Sequence, residues 1–136
     1  MARNLTLLIL TLSVGHCLTE STPAIRAADE APRTFEKDIW PIFRAHCFDC
    51  HGATDDLKGK LDLRLVRFML RGGESGAVIE AGDPEASYLL ERLRTGEMPP
   101  GDKSIPKAEI DVIEQWIAQG AKTAREEPES IPSGLG

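Results

Sequence analysis

The sequence predicts an all-α fold, and three observations carry that expectation. Apolar residues recur at the 3.6-residue helical period in several separate stretches. Those stretches are bracketed by helix signals, with capping residues or proline in front and glycine behind. The alternation that marks a strand is confined to the short piece Leu61-Asp62-Leu63, which reads as extended, and no βαβ pattern surrounds it.

Thr34 stands where it can cap a first helix whose stripe is Phe35, Ile39, Ile42, Phe43 and His46. Pro41 interrupts that helix and predicts a kink or a 3₁₀ first turn. Residues 52–60, with Asp55, Asp56 and Gly59, read as loop. Val66 to Arg71 reads as a brief helix stopped by Gly72-Gly73. Asp83-Pro84-Glu85 combines a capping side chain, a first-turn proline and an acid suited to the helix dipole. The helix it predicts carries Tyr88, Leu89, Leu90 and Leu93 and ends before Gly96. Pro106 opens a last helix with Ile110, Ile113, Trp116 and Ile117 on one stripe, closed by Gly120. There is no internal repeat.

The organisation expected is a leader over 1–27, one domain over 34–122 and a disordered tail over 123–136 that is rich in Glu, Pro, Ser and Gly. The leader has a short positive start at Arg3, an apolar stretch from Leu5 to Val14, and small residues around Ala27-Ala28, the marks of a cleaved export signal. Its apolar core is too short to span a bilayer, so no transmembrane anchor is expected. Cys17 falls inside the leader, and His16 before it is wrong for a lipid-attachment motif. An exported chain of this kind is expected in the periplasm.

The chain carries 16 basic and 22 acidic residues, a net charge of −6, and removal of Arg3, Arg26 and Glu20 with the leader makes it one unit more negative. An acidic surface argues against nucleic acid and favours partners with a basic docking face. Two Trp, one Tyr and four Phe are few for a core of roughly a hundred residues, so a bound apolar group would complete it.

Cys47-Phe48-Asp49-Cys50-His51 indicates which group. Two thiols at this spacing can add across the vinyl groups of a haem, and the adjacent imidazole then faces the iron. A disulfide across two residues would close too short a loop to stabilise much and leaves His51 without a role. A zinc site would need further ligands that the sequence does not place nearby. The second axial ligand expected is Met98, in a loop stiffened by Pro99-Pro100; Met69 lies on a helical apolar stripe and reads as core. His46 precedes the first cysteine and reads as a helix-surface or haem-edge residue. Lys58, Lys60 and Lys103 can ring a haem edge or simply be solvated. Arg64, Arg67, Arg92 and Arg94 are all candidates to pair with the haem propionates.

Six stretches together resemble the planctomycete-type cytochrome c domain. They are the pentad, Lys58-Gly59-Lys60-Leu61-Asp62-Leu63, Arg71-Gly72-Gly73-Glu74-Ser75-Gly76, Gly82-Asp83-Pro84-Glu85-Ala86-Ser87, Met98-Pro99-Pro100, and Ile113 to Ala121. The resemblance covers about residues 34–122. It implies a class I cytochrome c-like helical fold around one covalently bound haem c, first and last helices crossing beside it. It also implies that Cys47 and Cys50 attach the haem, with His51 and Met98 as iron ligands. Lys60 stands where the resemblance implies a glycine. The function expected is a mono-haem one-electron carrier serving redox protein partners, and not an enzyme. The alternative is a haem-based sensor or peroxidase-like module whose distal ligand is labile.

Overall fold

The computed structural model describes residues 31–131. The expected leader, with Cys17 and its cleavage site, and the last five residues of the expected tail lie outside the described residues. Among the described residues five α-helices follow in order: α1 (Trp40–His46), α2 (Phe48–His51), α3 (Val66–Arg71), α4 (Tyr88–Arg94) and α5 (Lys107–Ala118). A π-helical turn, Phe35–Ile39, runs straight into α1, and a 3₁₀ turn, Lys58–Lys60, separates α2 from α3. Among the described residues β-pairing is limited to two isolated bridges, Gly73 with Gly76 and Glu80 with Asp83. The helical class read from the sequence is the class observed. No helix among the described residues is long and apolar enough to cross a membrane.

The entrance to α1 differs from expectation in two respects. Thr34 occupies the cap position in extended backbone, but its side chain makes no capping bond. Instead the Thr34 N–H donates to Asp38 Oδ2 at 2.8 Å, so the acid reaches back to the cap. The turn before Pro41 is wide rather than 3₁₀, with the Trp40 N–H donating to the Phe35 carbonyl. Pro41 has no N–H to give, so the i→i−4 ladder lapses there and the preceding turn opens by one residue.

Helix α4 begins five residues after Asp83. The Asp83 Oδ1 accepts from the N–H groups of Glu85 and Ala86, both at 3.1 Å, and so caps a turn that does not continue. Buried Ser87 closes that turn: its hydroxyl donates to the Asp83 carbonyl at 2.8 Å and accepts the Glu80 N–H at 2.9 Å. The helix starts only after this knot.

The core joins the two ends of the domain. Phe35 packs on Phe43 (ring centroids 6.3 Å apart) and on Trp116 of α5 (6.0 Å), with Ile39, Ile113 and Ile117 fully buried beside them. One carbonyl serves both ends, because Lys122 O accepts from the Phe35 N–H and from Trp116 Nε1, each at 2.9 Å. Gly120 (φ +95°) and Ala121 (φ +51°) turn the chain back after α5 to bring that carbonyl into place. Beyond it, where the sequence suggests fraying, the chain is tied to α3. The Glu127 carboxylate accepts from the backbone N–H groups of Val66 and Arg67, and Arg67 Nη2 donates to the Glu129 carbonyl at 2.9 Å. No side chain of its own caps α3, so Glu127 does so from the far end of the chain.

Candidate functional site

The pentad is built around the break between α1 and α2. Cys47 adopts φ −123°, ψ −34°, outside the helical region, so α1 ends there and α2 starts afresh. The Cys47 carbonyl accepts from the N–H groups of Cys50 (3.1 Å) and His51 (3.0 Å), which winds the pentad into one turn. Residues three and four apart share a helix face, so both thiols and the imidazole project together. Phe48, between the cysteines, points the other way and is buried with its ring 5.9 Å from that of Trp40.

His51 is held from behind. Its Nδ1 lies 3.3 Å from the Leu61 carbonyl, and its own carbonyl accepts the Leu63 N–H at 3.0 Å. A carbonyl can only accept, so the contact places the ring proton on Nδ1 and leaves the Nε2 lone pair for a metal. The short extended piece 61–63 thus acts as the rail along which His51 is set. Leu61 follows a turn in which Gly59 (φ +60°) and Lys60 (φ +52°) are both left-handed. Lys60, the residue standing in place of an implied glycine, therefore adopts a glycine-like backbone. Gly73 packs directly on this turn: a Cβ there would sit 2.3 Å from the Gly59 carbonyl oxygen.

Cys47, Cys50, His51 and Met98 line one cavity of about 340 Å³, within the range of roughly 300–1,000 Å³ usual for cofactor sites. Its walls are apolar, from Leu61, Leu63, Val78, Leu89 and Leu93. Met98 lies in the loop between α4 and α5, its N–H donating to the Arg92 carbonyl at 3.1 Å, with Pro99 buried and Met98 itself 40% exposed. Met69 is fully buried in the core, away from the cavity lining. His46 lies on the cavity edge, and its Nε2 is 2.9 Å from Glu109 Oε2 of α5. Burial, and then the neighbouring Cys50, pushes the Cys47 thiol up to about 12, so it is protonated at neutral pH.

The cations sort by partner. Arg64 forks onto buried Asp62, with Nε–Oδ1 at 3.0 Å and Nη2–Oδ2 at 2.8 Å. Arg67 pairs with Glu127, and Arg94 with Glu85 and Glu114. Arg92 is the one of the four arginines that lines the cavity, stacked over the Tyr88 ring and paired with Glu97. The lysines are also paired: Lys58 with Asp56 (3.1 Å), Lys60 with Glu74 (3.3 Å) and Lys103 with Asp49 (3.5 Å). Among the described residues no group of three or more His, Cys, Asp or Glu side chains is placed to hold a bare metal ion.

Three contributors escaped the sequence reading: the Leu61 carbonyl, Tyr88 and the Gly73 packing point. Each belongs to a tertiary contact. Only the Arg71-Gly72-Gly73 run gave a sign, since adjacent glycines mark places where backbone approaches backbone.

The residues present fit a haem: two thiols, an imidazole and a thioether line one apolar cavity, and the imidazole has its second nitrogen already bonded. A helical domain with that site has the layout of a cytochrome c-like domain. Residues 47–102 match the family model described as planctomycete cytochrome C, the family that the sequence resembles. Such a family domain suggests a haem-binding electron carrier. Neither a curated protein nor a solved structure matches the chain.

Proposed function

We propose that the chain is an exported, mono-haem c-type cytochrome that carries single electrons between redox proteins. The observation that supports this best is the convergence of Cys47, Cys50, His51 and Met98, from two separate parts of the chain, on one apolar cavity. Cys47 and Cys50 would tether the haem by thioethers. His51 would bind iron through Nε2, its Nδ1 proton held by the Leu61 carbonyl, and Met98 would bind from the other side through sulfur. Haem supplies one-electron iron chemistry when bound. The thioether favours the ferrous state, and the apolar walls disfavour the extra ferric charge, so both raise the potential. With His51 and Met98 both holding the iron, the chain would pass electrons and not turn over a substrate.

The export signal over 1–27 supports periplasmic delivery, where haem attachment to such a pentad takes place. The acidic balance of the chain supports partners with a basic face. The cavity margin itself is close to neutral, since lining residues Lys58, Glu74 and Arg92 each meet an opposite charge, Asp56, Lys60 and Glu97.

One observation favours the second reading, a sensor or peroxidase-like module: Met98 is 40% exposed, as a ligand that leaves would be. Expression of the full chain with a haem-maturation system separates the two. The carrier reading expects a ferric sulfur-to-iron band in the red and slow carbon monoxide binding by the ferrous form. Met98→Ala should remove that band, lower the potential and admit carbon monoxide. A spectrum identical to the parent's would exclude Met98, and rapid carbon monoxide binding by the parent would favour the sensor.

A further inference from the structure

We infer that Arg92 is the residue that receives a carboxylate group of the bound haem, and that it links that charge to the Met98 loop. The inference rests on the haem reading above. Haem is apolar apart from its carboxylates, so an apolar cavity that holds it needs a cation at its margin. Among the four arginines, three are committed elsewhere: Arg64 to Asp62, Arg67 to Glu127, and Arg94 to Glu85 and Glu114. Arg92 lines the cavity, its guanidinium carbon 4.6 Å from the centre of the Tyr88 ring, which also lines it. The ring holds the planar fork in one orientation, with Nη2 donating to the Tyr88 hydroxyl and Nη1 paired with Glu97, so a haem carboxylate is received at the Glu97 side of the fork. Lys58, the other cation on the lining, is a long exposed side chain already paired with Asp56.

Arg92 is joined to the distal loop at both ends. Its backbone carbonyl accepts the Met98 N–H at 3.1 Å, and its guanidinium pairs with Glu97, the residue before Met98. A haem carboxylate and Glu97 therefore compete for one guanidinium. Glu97 acts as the placeholder acid, and Arg92 as a binding residue for haem and a positioning residue for Met98.

The test uses the haem-loaded full chain and reads the equilibrium constant for electron exchange with a reference couple. Removing a cation from beside the haem favours the ferric state, so Arg92→Gln should shift the constant toward the oxidised protein by at least about threefold. Arg92→Lys should recover most of that shift. Glu97→Gln breaks the same pair but removes an anion, so it should leave the constant unchanged or move it toward the reduced protein. If the pair merely braces the loop, the two glutamine variants move the constant the same way, and that result overturns the inference. An Arg92→Gln shift below threefold also overturns it. Should Arg92→Gln yield no folded protein, Glu97→Gln decides alone: a shift toward the oxidised protein overturns the inference, and any other result supports it. A parent chain that acquires no covalent haem overturns the haem reading and this one together, whereas a haem-loaded parent with an unresponsive Arg92 overturns this one only.

Discussion

The two sides of the cavity are built on different terms. The pentad side is contiguous, wound into one helical turn by the Cys47 carbonyl, rooted in the core through Phe48 and braced through Leu61. The Met98 side is a loop: one backbone bond to Arg92, a buried Pro99, and a half-exposed methionine. The difference teaches that permanence resides on one face and adjustability on the other. A strong covalent tether asks for a preset geometry. A weak thioether ligand asks only that its loop be close and stiff.

The largest expected effect breaks the permanent side. Changing both Cys47 and Cys50 to Ala should abolish covalent haem, read as the loss of the haem mass increment in the denatured protein; an increment retained would refute the tether. Next comes the root beneath the pentad. Phe48→Ala should destabilise the folded chain by about 3–5 kcal/mol in denaturant titration, because it empties a buried aromatic site. A loss under about 1 kcal/mol would mean that the pentad is not anchored in the core.

The third test uses pH on the haem-free chain. The Cys47 thiol is raised from its ordinary value of 9.0 to about 12, first by burial and then by Cys50. A raised folded-state value means the folded chain holds this proton more tightly than the unfolded one. The stability it contributes is therefore present below pH 9 and is lost as pH rises toward 12. Alkylation of Cys47 should accelerate about tenfold per pH unit over the same window, and a rate that levels off near pH 9 would contradict the burial of this thiol. The smallest effect concerns Lys60. Lys60→Gly relieves a left-handed non-glycine but gives the unfolded chain more freedom to lose on folding, so it should stabilise by no more than about 1 kcal/mol. A clear destabilisation would show that the Lys60–Glu74 pair outweighs the backbone.

What was legible in the sequence follows the same division. The pentad, the helix over Val66–Arg71, the last helix and its stop at Gly120 all rest on local signals, and the structure has each where the signals put it. The start of α4 was misplaced because Asp83 is a sound capping residue whose turn is closed by Ser87 before a helix can form. Pro41 marks an interruption, but a proline alone does not say whether the turn before it tightens or widens; here the Trp40 N–H reaches the Phe35 carbonyl, the wider choice. The four arginines could not be sorted because their choices are made by Asp62, Glu127, Glu97 and Glu114. Two of those four acids, Glu127 and Glu114, lie far from their arginines in the sequence. Met98 was reachable only by elimination among three methionines and by its prolines.

The carboxylate that completes α3 has a consequence for timing. A chain synthesised from its amino end presents Val66 61 residues before Glu127. At roughly 5–20 residues per second, the first turn of α3 waits on the order of several seconds for its acceptor. The first turn of α3 therefore lacks its carboxylate until the last stretch of the chain has emerged, so this helix is completed by the end of the chain and not by its own neighbours.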